Sequence, residues 1–222
     1  QSDTTHVDVN RQNAKAYCML KEYKISVNRY EALKAMGDRS FTTLYYLGVS
    51  QYADNWPYGA RDNLLEAHKK NPMDVNVLYY LAKACARSSW KEEGIAYMNK
   101  AFDMVVPTDS MMIRLYDGLL ECYKFHTKAD PYEKIEVMKE AYSYTKRYTL
   151  FYQIAEIYDY QKDYVNAVHY YEKYMALVPK NKQAALDSEG NPLPNVDTMY
   201  QKARRRVEKI KVEDFFRNGA HD

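Results

Sequence analysis

The chain has 222 residues, 46% of them apolar, with only 7 glycines and 7 prolines, a composition that favours long helices over strands and tight turns. Its formal net charge of +2 is too small a basic excess for a nucleic-acid binder, and it holds no apolar run long enough to span a bilayer. Tyrosine, at 24 residues, is the outlier; on helices it serves as core filler or as contact surface, and the count alone does not choose.

Residues 1–6 read as a polar, extended or disordered lead. The chain opens on Gln1 without a methionine, which reads as a terminus left by signal-peptide removal or as a chain trimmed at its start. The expectation is an exported protein of the periplasm or cell envelope, otherwise a cytoplasmic one. Apolar residues then recur three and four apart in paired segments over 7–40, 41–74, 75–108, 109–147 and 148–181. Each pair reads as a helical hairpin with one apolar face.

The first pair is irregular, with Asn13 where a large apolar residue is expected and Leu33 where a small one is. In the second pair, Asn55 is a candidate N-cap ahead of Pro57, placed early in the helix where a missing N–H costs least. The third pair carries Ser89-x-x-Glu92, a capping-box pattern. The fourth is longer by a turn reading YKFHTKADPYEK, with Asp130-Pro131 opening its second helix. That helix puts Met138 in a bulky slot, Ala141 in a small one and Lys134 where a small residue belongs, so it is either shifted or loosely packed. The extra length is tolerated surface or a functional loop.

The fifth pair has the clearest pattern: Phe151, Ile154, Ala155 and Tyr158, then Ala167, Tyr170, Tyr171, Tyr174 and Leu177. Lys162-Asp163 supplies its turn, Asp163 its N-cap and Pro179 its stop. Residues 182–195 read as a loop. A last helix over 196–218, N-capped by Asp197, presents Tyr200, Ala203, Val207 and Ile210 on one face, suited to covering the open end of the array. Its other side carries Lys202, Arg204, Arg205, Arg206, Lys209 and Lys211, which suits an anionic membrane or acidic partner; Glu208, Glu213 and Asp214 dilute that charge, so a solvated face is favoured over peripheral membrane association.

The pairs share a period. Ser26, Ala60 and Gly94 open second helices 34 residues apart, followed at the same step by Tyr30, Leu64 and Met98 and by Leu33, Ala67 and Ala101. First helices keep it with Ala14, Gly48 and Ala82, and Pro72 and Pro179 close two hairpins at the equivalent place, with Pro107 one residue late. Small residues let backbones approach, and Leu44, Leu47, Leu78 and Leu81 fill the grooves between hairpins. Leu44-x-x-Leu47-Gly48 with Ala60, Leu64, Ala67 and Pro72, and Phe151-x-x-Ile154-Ala155-x-x-Tyr158 with Ala167, Tyr171 and Pro179, resemble the tetratricopeptide repeat (TPR). The resemblance implies an all-α, right-handed superhelical solenoid of about five hairpins with a C-terminal capping helix, whose first helices line a concave binding wall.

No catalytic, metal or cofactor motif accompanies this pattern. His6, His68, His126, His169 and His221 lie in separate segments, and no phosphate-cradling glycine loop is present. Cys18, Cys85 and Cys122 sit within helix patterns without a CxxC and read as reduced, buried thiols. The expectation is a non-catalytic scaffold with no cofactor, metal or nucleic-acid partner. Its wall is expected to be Arg11 and Lys15, then Tyr45, Val49 and Tyr52 with Thr42, then Asn76, Tyr79, Lys83 and Arg87, then Asp117 with Ser110 and Ile113, then Tyr152, Glu156 and Asp159. Tyrosine and arginine are enriched at binding hot spots, so this wall suits a peptide or partner protein, and Lys83 with Arg87 favours a carboxylate-bearing one. The repeats that clamp a chaperone's C-terminal carboxylate use a Lys and Asn pair, and Tyr45 and Val49 stand at those places instead. The alternative is a glycan or small-ligand binder that stacks sugars on exposed Tyr45, Tyr52, Tyr79 and Tyr152.

Overall fold

The structure is a computed structural model, and it describes the backbone of residues 4–183 and 197–218, with side chains over 6–183 and 197–213. Gln1, His221 and residues 184–195 of the loop expected over 182–195 lie outside the described residues. Among those described there are eleven α-helices and no strand. They are α1 (Thr4–Met19), α2 (Tyr23–Ala35), α3 (Phe41–Ala53), α4 (Pro57–Lys70), α5 (Val75–Ala86), α6 (Lys91–Asp103), α7 (Asp109–Phe125), α8 (Pro131–Thr145), α9 (Thr149–Tyr160), α10 (Tyr164–Leu177) and α11 (Thr198–Asn218). The first helix begins at Thr4 and so includes residues 4–6 of the expected lead, while residues 1–3 lie outside those described. The chain forms two compact units, Gln1–Ala129 and Asp130–Asp222. Their boundary falls between α7 and α8, in the turn where the fourth pair carries its extra residues.

In the first unit α1–α2, α3–α4 and α5–α6 are hairpins, and α2, α4 and α6 each pack on the first helix of the next pair. The first helices α1, α3, α5 and α7 also touch in series, which makes them one wall. The physical basis is the alternation of sizes. Ala14, Ala60, Ala67, Ala82 and Ala101 are fully buried where helices cross, and Leu44, Leu64, Leu78, Leu81 and Met98 are fully buried in the gaps between. Each of those large side chains contributes about 1.5–3 kcal/mol of burial. The outer helices are laced by polar contacts: Arg39 donates to Glu66 at 2.9 Å, and the Arg61 guanidinium lies 3.7 Å from the Trp90 ring centroid and 3.4 Å from Glu93. All three cysteines are buried and free. Burial pushes the Cys85 thiol up to about 11 and the Cys122 thiol up to about 12, so both are inert small hydrophobes at neutral pH.

In the second unit α8 packs on α9, α9 on α10 and α10 on α11. Phe151, Ile154, Ala155, Ala167, Tyr171 and Tyr174 form its core together with Ala203, Val207 and Ile210 of α11. The last helix therefore covers the α9–α10 hairpin with the face its spacing marks. On α8, Ile135 and Ala141 are buried and Met138 is only partly so, and Lys134 is half-buried with its pKa lowered by that burial. The apolar stripe is thus shifted by one residue from the lysine in the small slot.

Helix caps divide into two groups. Asp163 accepts from Asn166 N at 3.2 Å, Asp130 from Tyr132 N at 2.8 Å and Asp197 from Met199 N at 2.9 Å. Two expected caps are absent. Asn55 takes the turn's left-handed conformation, φ 62°, and α4 is entered through Trp56 with no side-chain cap. Trp90 rather than Ser89 precedes α6, again uncapped by a side chain, and Ser89 instead meets the Tyr58 hydroxyl at 3.3 Å. Trp90 is covered by Tyr58 and the Arg61 guanidinium, whereas Trp56 lies exposed against Gly59.

Candidate functional site

On the wall of the first unit, Tyr45 and Tyr52 come from α3, Asn76, Tyr79, Lys83 and Arg87 from α5 and its end, and Asp117 from α7. The group at their centre is Glu121 of α7. Its Oε1 accepts from the Tyr52 hydroxyl at 2.6 Å and from Arg87 Nε at 2.6 Å, and its Oε2 lies 3.0 Å from Lys83 Nζ. Lys83 also donates to the Tyr79 hydroxyl at 3.4 Å. Arg87 lies 4.5 Å from the Tyr52 ring centroid and Lys83 5.0 Å from both the Tyr52 and Tyr79 rings. Arg114 covers Tyr79 at 4.4 Å and donates to Asn76 Oδ1 at 2.8 Å. Tyr80 joins the cluster edge-on to Tyr45, Tyr52 and Tyr79, with centroids 6.3, 6.1 and 5.2 Å away.

The electrostatics follow from this geometry. Burial works against the Glu121 carboxylate, but the Tyr52 hydroxyl, Lys83 and Arg87 outweigh it and hold its pKa below the ordinary range. Burial likewise opposes the Lys83 ammonium, and the surrounding tyrosines and Glu121 hold its pKa above the usual value. Burial, then the hydrogen bond to Glu121, pushes the Tyr52 hydroxyl up. The patch thus sets Lys83, Arg87 and Arg114 against Glu121, with Asp117 exposed on the same helix as Glu121.

Several wall residues differ from expectation. Val49, Tyr52 and Tyr79 are buried, at 7–9% exposure, and Tyr45 is half-buried against Phe41, Tyr46 and Tyr80. Tyr152 is buried too, edge-on to Tyr171 and Tyr174, and burial with Glu156 beside it pushes its hydroxyl up to about 12. Three of the four tyrosines are thus buried and Tyr45 is half-buried. Burial follows from their neighbours, since a ring on a first helix is covered by the next helix of the stack. Arg11 is committed elsewhere: its Nε and Nη2 reach Asp38 at 3.1 and 2.9 Å and it pairs with Asp8, tying α1 to the α2–α3 turn. Lys15 lies 5.2 Å from the Tyr46 ring.

Tyr152, Glu156 and Asp159 belong to the second unit. Glu156 is exposed, whereas Asp159 is held by α11: Arg206 Nε and Nη2 each donate to its carboxylate at 2.7 Å, and the Tyr171 hydroxyl approaches at 3.4 Å. The basic face of α11 therefore turns Arg206 inward. Arg206→Ala is expected to loosen α11 by about 1–2 kcal/mol. Amide exchange over 198–213 then rises about tenfold while α9 and α10 keep their protection. Unchanged exchange would show that Ala203, Val207 and Ile210 hold the helix unaided.

Glu121 and Tyr80 escaped the sequence reading. Glu121 lies 34 residues after Arg87, so extending that column by one repeat finds it. Tyr80 carries no such signal, because it stands beside the column and is brought in by the approach of α3. Among the described residues, no three His, Cys, Asp or Glu side chains are gathered as metal ligands, and no helix is long and apolar enough to cross a membrane.

Stacked hairpins with small residues at the crossings and a wall of first helices define a tetratricopeptide-repeat fold. Solved structures agree. The chain is similar to MamA (MSR-1), at TM-score 0.63 and 14% identity over 78% of this chain and 96% of that one. It is similar to YrrB, described as a TPR protein with an unusual peptide-binding site, at TM-score 0.61 and 12% identity over 81% of this chain and 94% of that one. It is also similar to TTC0263, a thermophilic TPR protein in Thermus thermophilus, at TM-score 0.50 and 13% identity over 93% of this chain and 99% of that one. At these identities the likeness establishes the fold. No protein-family model and no curated protein matches the sequence.

Proposed function

We propose that this protein is a non-catalytic interaction scaffold whose α3–α5–α7 wall binds a carboxylate-bearing peptide or partner segment. The observation that carries the reading is the Glu121 cluster, in which Lys83, Arg87 and Tyr52 converge on one carboxylate. A site that gathers two cations and a hydroxyl donor around its own carboxylate is pre-organised for another. Arg87 is exposed and Arg114 half-buried, so both are open to an incoming acidic residue. The similarity to YrrB, itself a TPR protein with a peptide-binding site, supports the same use of the fold. The burial of Tyr52 and Tyr79 weighs against a sugar-stacking role for this wall.

An array of random peptides probed with the purified chain tests this. Bound peptides are expected to be enriched in Asp and Glu, with binding that weakens as salt rises. Arg87→Glu with Arg114→Glu is expected to weaken binding by about tenfold or more, with a lower melting temperature from the like charge beside Glu121 but the helical circular dichroism retained at the assay temperature. Glu121→Gln frees Lys83 and Arg87 and is expected to tighten it. Bound peptides without acidic enrichment, or equal binding by the charge-reversed protein, defeat the proposal.

A further inference from the structure

A second site of different chemistry lies among α2, α3 and α4, in a pocket of about 420 Å³ that includes no residue of the Glu121 cluster. That volume falls within the range of small-ligand sites. Its aromatic element is Trp56, 49% exposed. The indole lies against Gly59, where a Cβ would stand 3.0 Å from the ring, tighter than an ordinary contact. The backbone beneath is fixed: Trp56 N donates to Gln51 O at 2.8 Å, Asn55 takes a left-handed turn, and Pro57 restricts the residue before it. Among the described residues Trp56 has no ring or cation partner, unlike Trp90, which is covered by Arg61 and Tyr58. An exposed, rigidly mounted aromatic without a packing partner is a platform.

The polar floor beside it is built. Gln51 and Asn63 are buried, at 2% and 4% exposure, and linked by Asn63 Nδ2 donating to Gln51 Oε1 at 2.8 Å. Lys34 Nζ donates to Asn63 Oδ1 at 2.6 Å, and Gln51 Nε2 donates to Glu31 at 3.2 Å. This chain orders two charged side chains of α2 at the pocket rim, and Asp62 of α4 adds a third. The ligand class follows by elimination. A cation meets the Lys34 ammonium; an anion meets Glu31 and Asp62; a purely apolar ligand strips water from Lys34 and Gln51 without replacing it. A neutral polyol suits all of them, because each hydroxyl both donates and accepts. We infer that this pocket binds a neutral sugar, one hexose or a disaccharide, with a C–H face on Trp56 and hydroxyls bonded to Glu31, Lys34, Gln51 and Asp62.

The chain has 2 tryptophans, so a Trp90→Phe protein reports on Trp56 alone. Its emission is titrated with D-glucose, N-acetyl-D-glucosamine, maltose, cellobiose and lactose, with choline and glucose 6-phosphate as charged controls. The expected result is a saturable change with at least one neutral sugar at about 1 mM, and weaker response to both controls. Calorimetry with that sugar is expected to show binding weakened about tenfold by Glu31→Ala and abolished by Trp56→Ala, with the helical circular dichroism of both variants retained at the assay temperature. The inference is overturned by no saturable response to any neutral sugar up to about 100 mM, by tighter binding of choline or the phosphate, or by sugar binding that survives Trp56→Ala.

Discussion

Gly94→Val is expected to cost about 3 kcal/mol and to open the α5–α6 hairpin. A Cβ at residue 94 would lie 2.8 Å from Ala82 O and 3.1 Å from Ala86 N, both backbone atoms of the facing helix. Backbone cannot rotate aside as a side chain can, so α6 must move away from α5, and Leu81, Ala82 and Cys85 lose their cover. The opposing effect is helix propensity, where replacing glycine gains at most about 1 kcal/mol. Packing wins. Gly48 is as tight, since a Cβ there would lie 2.5 Å from Cγ of the fully buried Leu64 and 3.1 Å from the backbone oxygen of Ala60. Gly48→Ala is therefore expected to destabilise the α3–α4 hairpin as well. Urea midpoints measure both, and a Gly94→Val midpoint equal to wild type would mean the two helices separate at no cost.

Glu121→Ala removes the carboxylate paired with Lys83, whose side chain is 16% exposed, and leaves that largely buried ammonium without its counter-charge. The expected loss is about 2 kcal/mol, below the figure for a fully buried pair because Arg87 and Glu121 keep some contact with water. Removing both partners in Glu121→Leu with Lys83→Met is expected to recover most of it, since the penalty belongs to the orphaned charge. The pH dependence has a definite sign. Glu121 has a lowered folded pKa, so its contribution is fully present above the ordinary carboxylate value of about 4.3 and is lost as pH falls through the folded value. Asp38 and Glu66 are lowered as well and act in the same direction, so the wild type alone cannot apportion the effect. The difference between wild type and Glu121→Gln isolates it: the gap in stability is expected to be constant at neutral pH and to close below about pH 4. A gap that persists or widens in acid would contradict the assigned role of Glu121.

The parts of the fold that were legible are those where one residue's size or chemistry suffices. Ala60, Gly94 and Ala167 mark crossings because only small residues allow the approach, whatever their neighbours. Asp163 and Asp197 cap helices through backbone groups two or three residues away. The local rule failed at Asn55, which takes the left-handed conformation of its turn, and at Ser89, which meets the Tyr58 hydroxyl. The wall was legible as a set of columns and illegible as a set of exposures. Tyr52, Tyr79 and Tyr152 stand at inward positions, yet whether a ring is open there depends on how far the next helix leans over it.

The amino-acid order by itself determined the helical pairs, their period and the stripe each buries, because these depend on spacing along a helix of fixed pitch. Only the tertiary structure decided that Glu121 closes the tyrosine and cation cluster, that Arg206 occupies Asp159, and that Trp56 lies bare beside Gln51 and Asn63. Those pairings join helices through side chains with several rotamers, and a few tenths of an ångström in helix approach selects among them.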